Sequence, residues 1–142
     1  MQRKIRIGMV GGGRGAFIGG IHRIALGLDG HYELVAGCFS SNFKNSKETG
    51  LNLRLSEERI YETFHDMAEK ESARSDGIDV VSIVTPNHLH VPVAKIFAEK
   101  GIHIICDKPL ALSSEEANSL KDIVENKKLI FALTHNYTGY PM

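Results

Sequence analysis

Short apolar runs alternate along this chain with longer stretches in which apolar residues recur every three or four positions. The runs occupy residues 5–10, 32–39, 60–61, 79–84, 102–106 and 129–133. Several of them, such as DVVSIV at 79–84, show no alternation between apolar and polar positions. Strands that are apolar on both faces are typical of a parallel sheet with helices on each side.

The stretches between the runs have the spacing of helices. Apolar residues recur at helical intervals in 18–28 and 93–98, and residues 43–58 and the segment after Phe64 are predicted to hold shorter helices. Ser113 with Glu116 three positions later forms a capping box that opens a helix continuing to Val124. Strand and helix therefore alternate over the whole length.

This alternation predicts an α/β fold, a doubly wound parallel sheet of the Rossmann type in three layers. Counting the runs gives about six strands in the order 3-2-1-4-5-6. Ligands bind such sheets beyond the carboxyl ends of the strands. The chemistry is therefore expected in the segments that close the runs, which are residues 11–20, 40–44, 85–90, 107–109 and 134–137.

Composition narrows the classes of partner. The chain has 142 residues and 42% hydrophobic residues, which suits one domain. Its 17 Lys and Arg balance 17 Asp and Glu, so we expect neither a nucleic acid nor a membrane surface as a partner. Cys38 and Cys106 lie far apart in apolar runs, which predicts buried, reduced thiols and a cytoplasmic protein.

A glycine-rich loop, GGGRGA at residues 11–16, lies between the first strand and the first helix. Glycine permits a tight turn and lets the backbone approach a pyrophosphate, while the helix N-terminus offers free N–H groups. Gly11, Gly13 and Ala16 fit the dinucleotide-binding pattern only loosely, and Gly19 follows further on. The context predicts that residues 1–142 form a dinucleotide-binding domain.

The second strand ends without the acidic residue that usually holds the ribose of NAD. Ser40, Ser41 and Asn42 stand there, and Lys44 follows. Small hydroxyl groups and a cation would tolerate a 2′-phosphate, so the cofactor is NAD or NADP, and the choice stays open. The alternative is that these residues only cap the next helix.

Two further strand ends carry candidate chemistry. Lys108 lies between Asp107 and Pro109, where its ammonium could bind a substrate oxygen during hydride transfer. The motif TPN at 85–87 closes the preceding strand. His88 and His90 have the spacing of a metal pair but no third ligand nearby, so no metal site is predicted.

Together these segments resemble the N-terminal domain of the Gfo/Idh/MocA oxidoreductases. The matching features are the glycine loop with Gly19 and His22, the motif TPNHLH at 85–90, DKPL at 107–110, and Asn136, Tyr137 and Pro141. The resemblance implies hydride transfer between a nicotinamide cofactor and a sugar, polyol or related carbinol, with Lys108 as the catalytic residue. It implies cofactor contacts by Gly11, Gly13, Arg14, Gly15, Ala16, Phe17, Ile18, Ser40, Ser41, Lys44, Thr85, Pro86, Asn87, His90, Asp107, Lys108 and Asn136.

The chain departs from the family pattern in several places. The loop before Gly19 is about three residues longer than the common form, Asp107 replaces a glutamate, and Thr138 replaces an arginine. Family members continue into a substrate and oligomerisation domain that is expected after residue 142 and is absent here. The isolated chain is therefore expected to be inactive, and the complete protein to be a homo-oligomer. A nucleotide-sensing module and an assembly module with the same fold remain alternatives.

Overall fold

The computed structural model describes residues 3–139 and contains a five-stranded parallel sheet. The family-matched Pro141 lies outside these residues. The strands are β1 (Ile5–Gly11), β2 (Tyr32–Cys38), β3 (Val80–Val84), β4 (His103–Asp107) and β5 (Phe131–Thr134). Their order in the sheet is β2-β1-β3-β4-β5, with all pairs parallel. This is the doubly wound arrangement predicted by the apolar runs, in which apolar and polar positions do not alternate.

Five helices connect the strands: α1 (Phe17–Gly27), α2 (Phe43–Asn52), α3 (Phe64–Ala73), α4 (His90–Glu99) and α5 (Ser114–Asn126). The predicted cap of α5 is confirmed, because the Ser113 hydroxyl accepts a hydrogen bond from the Glu116 amide at 3.2 Å. The Glu116 carboxylate accepts in turn from the amide of Leu112 at 3.0 Å. Both ends of the box therefore satisfy backbone donors at the helix start.

The prediction of a sixth strand at residues 60–61 is wrong. Ile60 forms only an isolated parallel bridge with Gly37 of β2, on the outer side where the third strand of the predicted order would lie. A 3-10 turn (Glu57–Arg59) precedes this bridge, and Thr63 already caps α3. Too few residues remain between the turn and the helix for a strand to extend.

The helices cover both faces of the sheet. On one side, Met67 of α3, Phe97 of α4 and Leu120 of α5 belong to the larger buried cluster. On the other, Met9 and Phe39 belong to a smaller cluster near α1 and α2. The three predicted layers are present, and they hold the carboxyl ends of the strands in fixed relation to one another.

Helix α1 lies against the sheet through Gly19, His22 and the partly buried Ile18, and most of its other large apolar residues are exposed. Gly19 and His22 are its buried residues, whereas Phe17, Ile24 and Leu28 are 81%, 65% and 81% exposed. The close approach is possible because Gly19 has no side chain where the helix crosses the glycine loop. The periodicity at 18–28 predicts this helix correctly but does not identify the face that is buried.

A buried ion pair joins α3 to the turn before it. The Glu71 carboxylate is 1% exposed and contacts the Arg59 guanidinium, the Tyr61 hydroxyl at 2.7 Å and the Ile78 amide at 3.2 Å. Burial and the bond to Glu71 raise the pKa of Tyr61, so its hydroxyl stays protonated and donates. This cluster holds the segment that leads into β3, at the edge of the sheet opposite the carboxyl ends of the strands.

Cys38 and Cys106 are both free and buried, as predicted. Burial raises the pKa of Cys38 to about 11 and that of Cys106 to about 12. Among residues 3–139, no helix has the length and apolar character that crossing a membrane requires.

Candidate dinucleotide-binding and proton-transfer site

The glycine loop and Lys108 lie at the same edge of the sheet. In the β1–β3 pairing Gly11 is opposite Val84, and in the β3–β4 pairing Ile83 is opposite Cys106. The segments that leave β1, β3 and β4 therefore start at nearly the same level. Asp107 pairs with Thr134, which brings the turn beginning at Asn136 to this edge as well.

The backbone of the glycine loop depends on glycine at specific positions. Gly11, Gly12 and Gly15 have φ values of 86°, 73° and 87°, a region that favours glycine. At Gly13 the reason is space, since a Cβ would lie 2.7 Å from the carbonyl oxygen of Phe39. The Gly13 amide donates to that same oxygen at 3.0 Å, which fixes the loop against the end of β2.

The loop leaves N–H groups available at the start of α1. Ala16, the N-cap residue, has no side-chain cap, and the first N–H groups of a helix have no partner within it. The Arg14 amide, in contrast, donates to Asn45 and Thr49 on α2 at 3.1 and 3.2 Å. The N-terminus of α1, including Phe17 and Ile18, is therefore the part of the loop suited to an anionic group.

Thr85 carries a buried hydroxyl beside the glycine loop. Its hydroxyl oxygen is buried, and it has no hydrogen-bond partner among the described residues. A Cβ on Gly11 would lie 3.0 Å from the Thr85 amide nitrogen, so this residue sits directly beside the glycine loop. A buried hydroxyl without a partner is costly, and a bound polar group at this edge would satisfy it. Pro86 and Asn87 follow and are exposed.

The end of β2 caps the next helix and also presents exposed polar side chains. Asn42 caps α2 by accepting from the Asn45 amide at 3.2 Å, and the Ser40 hydroxyl accepts from the Asn42 amide at 3.1 Å. Ser41 and Lys44 are exposed beside them. The capping alternative therefore holds for Asn42, while Ser41 and Lys44 are free to meet a ribose or a phosphate.

Lys108 follows β4 and is exposed. Within residues 3–139 its ammonium makes no ion pair or hydrogen bond. The adjacent carboxylate of Asp107 is held elsewhere: it accepts from the Thr134 hydroxyl at 2.8 Å and lies 3.7 Å from Nε2 of His22. A lysine with no internal partner at a strand end is available to a ligand.

His90 is 1% exposed, and both of its ring nitrogens contact backbone oxygens. Nδ1 lies 2.6 Å from the carbonyl oxygen of Pro109, and Nε2 lies 3.0 Å from that of Thr85. Its ring thus joins the end of β3 to the segment after Lys108. The expected contact between His90 and a cofactor remains a prediction.

Sequence reasoning gave no role to His22, Ser82 or Thr134. His22 is buried against β3, with Nδ1 3.0 Å from the Ser82 hydroxyl oxygen. Burial lowers the pKa of His22, and the nearby Asp107 carboxylate opposes this shift in part. The available signal was the spacing of Gly19 and His22 in the family motif. No group of three His, Cys, Asp or Glu side chains within 3–139 has the arrangement of a metal site.

The parts of the edge are spaced for an extended ligand. Three strand intervals separate β2 from β4, which is about 14 Å at about 4.8 Å per interval. The residues present fit a dinucleotide, with hydroxyls and a cation at β2, a glycine cradle at β1 and a free lysine at β4. This fold and edge define a nicotinamide-dinucleotide-binding domain of the Rossmann class.

The chain belongs to the Gfo/Idh/MocA oxidoreductases: the model for this "oxidoreductase family, NAD-binding Rossmann fold" matches residues 5–135. One relative is the uncharacterized oxidoreductase YfiI of Bacillus subtilis, which is 39% identical over 143 residues. The match covers 100% of this chain and 36% of YfiI.

Two solved structures are similar over nearly the whole chain. An oxidoreductase from Sinorhizobium meliloti has a TM-score of 0.93 and 52% identity, with 99% of this chain and 39% of that chain covered. An inositol dehydrogenase homolog from Azotobacter vinelandii, complexed with NADH and myo-inositol, has a TM-score of 0.95 and 37% identity, with 98% and 37% covered. This chain thus spans less than two fifths of the length of these proteins.

Proposed function

We propose that this chain is the cofactor-binding half of a dehydrogenase that moves a hydride between NAD or NADP and a CH–OH group of a sugar, a polyol or a related carbinol. The observation that carries the proposal is the presence of three complementary features at one sheet edge. They are the glycine cradle at 11–13, the Thr85 hydroxyl and the Lys108 ammonium, and neither of the last two has a partner within residues 3–139. Membership of an oxidoreductase family supports the same reading.

The residues divide the dinucleotide between them. The free N–H groups at the start of α1 would hold the pyrophosphate, together with Gly11, Gly13, Gly15 and their neighbours. Ser40, Ser41 and Lys44 would face the adenosine ribose, and either a hydroxyl or a 2′-phosphate is compatible with them. The segment at 85–87 and Asn136 would line the way to the nicotinamide.

Lys108 is the proposed catalytic residue. When bound, the nicotinamide ring supplies the hydride acceptor for oxidation, or the donor for reduction. The Lys108 ammonium would donate a hydrogen bond to the reacting oxygen and polarise its bond to carbon. In the oxidation of an alcohol, the neutral amine would accept the hydroxyl proton as the hydride leaves, and in the reverse reaction the ammonium would return it.

Turnover is proposed to need more protein than these 142 residues. The matched relatives are more than twice as long, and the A. vinelandii homolog binds myo-inositol as well as NADH. A further domain would complete the substrate pocket and assemble the protein as a homo-oligomer. The proposed location is the cytoplasm, supported by two buried, unpaired thiols.

Calorimetric titration with NADH and with NADPH tests cofactor binding by this chain. Saturable binding of at least one of them is expected, and folded protein that binds neither would refute the proposal. The role of Lys108 is tested in a polypeptide extended to the length of the relatives. There Lys108→Ala should lower kcat by about 100-fold or more and leave nucleotide affinity nearly unchanged.

A further inference from the structure

Within residues 3–139 the Lys108 ammonium has no partner, while each of its neighbours in the chain lies beside a buried histidine. His22 of α1 lies beside the carboxylate of Asp107, and His90 of α4 lies beside the carbonyl of Pro109. The two rings are 8% and 1% exposed. Neither ring is therefore placed to meet a substrate directly, and any effect on chemistry must pass through the residues they contact.

The contacts of His22 show which ring nitrogen faces Ser82 and which faces Asp107. Ser82 is fully buried, and its hydroxyl lies 3.0 Å from Nδ1. Burial lowers the pKa of His22 and favours the neutral ring, which carries a single proton. When the Ser82 hydroxyl donates to Nδ1, that single proton is on Nε2, which faces the Asp107 carboxylate at 3.7 Å. This distance is longer than a hydrogen bond and makes the contact electrostatic.

Asp107 is held from a second direction by β5. The Thr134 hydroxyl donates to its Oδ1 at 2.8 Å, the same oxygen that His22 approaches. Within residues 3–139 the carboxylate forms no ion pair with the adjacent Lys108, and its contacts are with α1 and β5. The lysine keeps its ammonium free, although a carboxylate is its nearest neighbour in the chain.

His90 acts on the other side of Lys108. Its ring spans from the Thr85 carbonyl at 3.0 Å to the Pro109 carbonyl at 2.6 Å. It therefore fixes the path of the chain after Lys108 relative to β3, the strand whose end carries the unpartnered Thr85 hydroxyl. A neutral imidazole carries one N–H and donates to one of these carbonyl oxygens, and the shorter contact assigns that hydrogen bond to Pro109.

The geometry points to His22 and His90 as positioning residues for Lys108, His22 acting through Asp107 and His90 through Pro109. The functional meaning rests on the proposed role of Lys108 in hydride transfer. In the free protein, before any ligand binds, the two rings determine the surroundings of the Lys108 ammonium. That claim can be measured without nucleotide or substrate.

The test uses the chain labelled with ¹³C-lysine. The Lys108 Hε–Cε cross-peak is assigned by its loss in Lys108→Arg. We expect His22→Phe and His90→Phe to move this peak at least about threefold further than His88→Phe does. His88 is the matched control because it is an exposed histidine at the same edge.

Conservative variants separate positioning from general stability. His22→Gln keeps an N–H near the place of Nε2, and His90→Asn keeps one near the place of Nδ1, so each should return the Lys108 peak towards its parental position. If His22→Phe does not fold, Thr134→Val, which removes the second anchor of Asp107, replaces it and should move the peak in the same way.

Two results would overturn the inference. One is a Lys108 peak that moves no further in the folded His22 and His90 variants than in His88→Phe. The other is an equal displacement in the conservative variants, which would assign the effect to packing. For the His22 variants, NADH affinity is measured separately by fluorescence and should stay within about twofold of the parent, and a tenfold loss would also count against positioning. Failure of the parent to bind NADH would instead refute the proposed function.

Discussion

Gly12 of the glycine loop and Gly19 of helix α1 are in contact through their backbones. A Cβ built on Gly19 would lie 2.4 Å from the Cα of Gly12, and one built on Gly12 would lie 2.9 Å from the Cα of Gly19. In a dinucleotide fold, glycine at such a crossing lets the helix pack closely on the strand. Gly19 fills this role here, although Ala16 has the expected spacing in the sequence.

Gly19→Ala should therefore weaken both folding and nucleotide binding. The added methyl group would meet backbone atoms that cannot move aside, so α1 must shift and its N-terminus must leave the crevice. We expect a loss of about 1–3 kcal/mol in the free energy of unfolding and a clear rise in the Kd for NADH. Urea unfolding and fluorescence titration measure the two effects.

Gly20→Ala is the control for that substitution. Its Cβ would meet only the end of the Arg23 side chain, at 4.0 Å. Replacing a helical glycine with alanine normally stabilises a helix by up to about 1 kcal/mol. A Gly20 variant as damaged as the Gly19 variant would show that the contact with Gly12 is not the cause.

The Glu71 cluster should dominate the electrostatic part of stability. Glu71→Gln removes the buried carboxylate from the Arg59 guanidinium, which keeps its longer carboxylate contact, with the exposed Asp76 at 3.7 Å. Removing one partner of a buried pair costs about 3–5 kcal/mol. Glu69→Gln breaks an exposed pair with Lys100 and should cost less than about 1 kcal/mol. Equal midpoints in urea for the two variants would contradict this interpretation.

Asp79 should make stability depend on pH in the acid range. Hydrogen bonds from the Arg3 side chain, together with the Arg6 amide, lower the pKa of Asp79 to about 2. Because the folded state holds the charged form, the contribution is complete above the unfolded value of 3.8 and is lost as the pH falls through about 2.

The comparison that tests this is parent against Asp79→Asn. The parent should be more stable at pH 7, and the difference should shrink between about pH 4 and pH 2. Urea unfolding at several pH values gives both curves. A difference that is constant from pH 7 to pH 2 would rule out Asp79 as the titrating group.

The two thiols should be unreactive in the folded protein. Burial raises the pKa of Cys38 to about 11 and that of Cys106 to about 12, so almost no thiolate forms at neutral pH. A chromogenic disulfide reagent should label neither residue in buffer and both in urea. Rapid labelling of folded protein would show that one thiol is accessible.

Five of the apolar runs predict the five strands correctly, because each of these runs has the length of a strand and no polar face. Residues 60–61 mislead the count, since their apolar character reflects burial beside β2 and not a full strand. The face of α1 could not be read from its apolar residues, because the contact that seats this helix is made by glycines. Hydrophobic periodicity locates large apolar side chains. The contact between Gly12 and Gly19 instead requires that neither residue has a side chain.

The sequence predicts those parts of the site that directly follow a strand. The glycine loop and Lys108 follow strands directly, so the sequence alone placed them at one edge. The family motifs include His22 and His90, but the partners of these histidines could not be predicted, since His22 meets Ser82 and Asp107, and His90 meets Pro109, only after the chain has folded. Local spacing carries no sign of such contacts.

Nuclear magnetic resonance mapping of NADH on the ¹⁵N- and ¹³C-lysine-labelled chain tests the central claim most directly. The account predicts that one saturating titration shifts the amides of Gly13, Gly15 and Thr85 together with the side-chain signal of Lys108. Signals at the opposite edge of the sheet, from Arg6 and Gly101, should stay unchanged. Binding that shifts the opposite edge, or that moves the glycine loop without Lys108, would contradict the account.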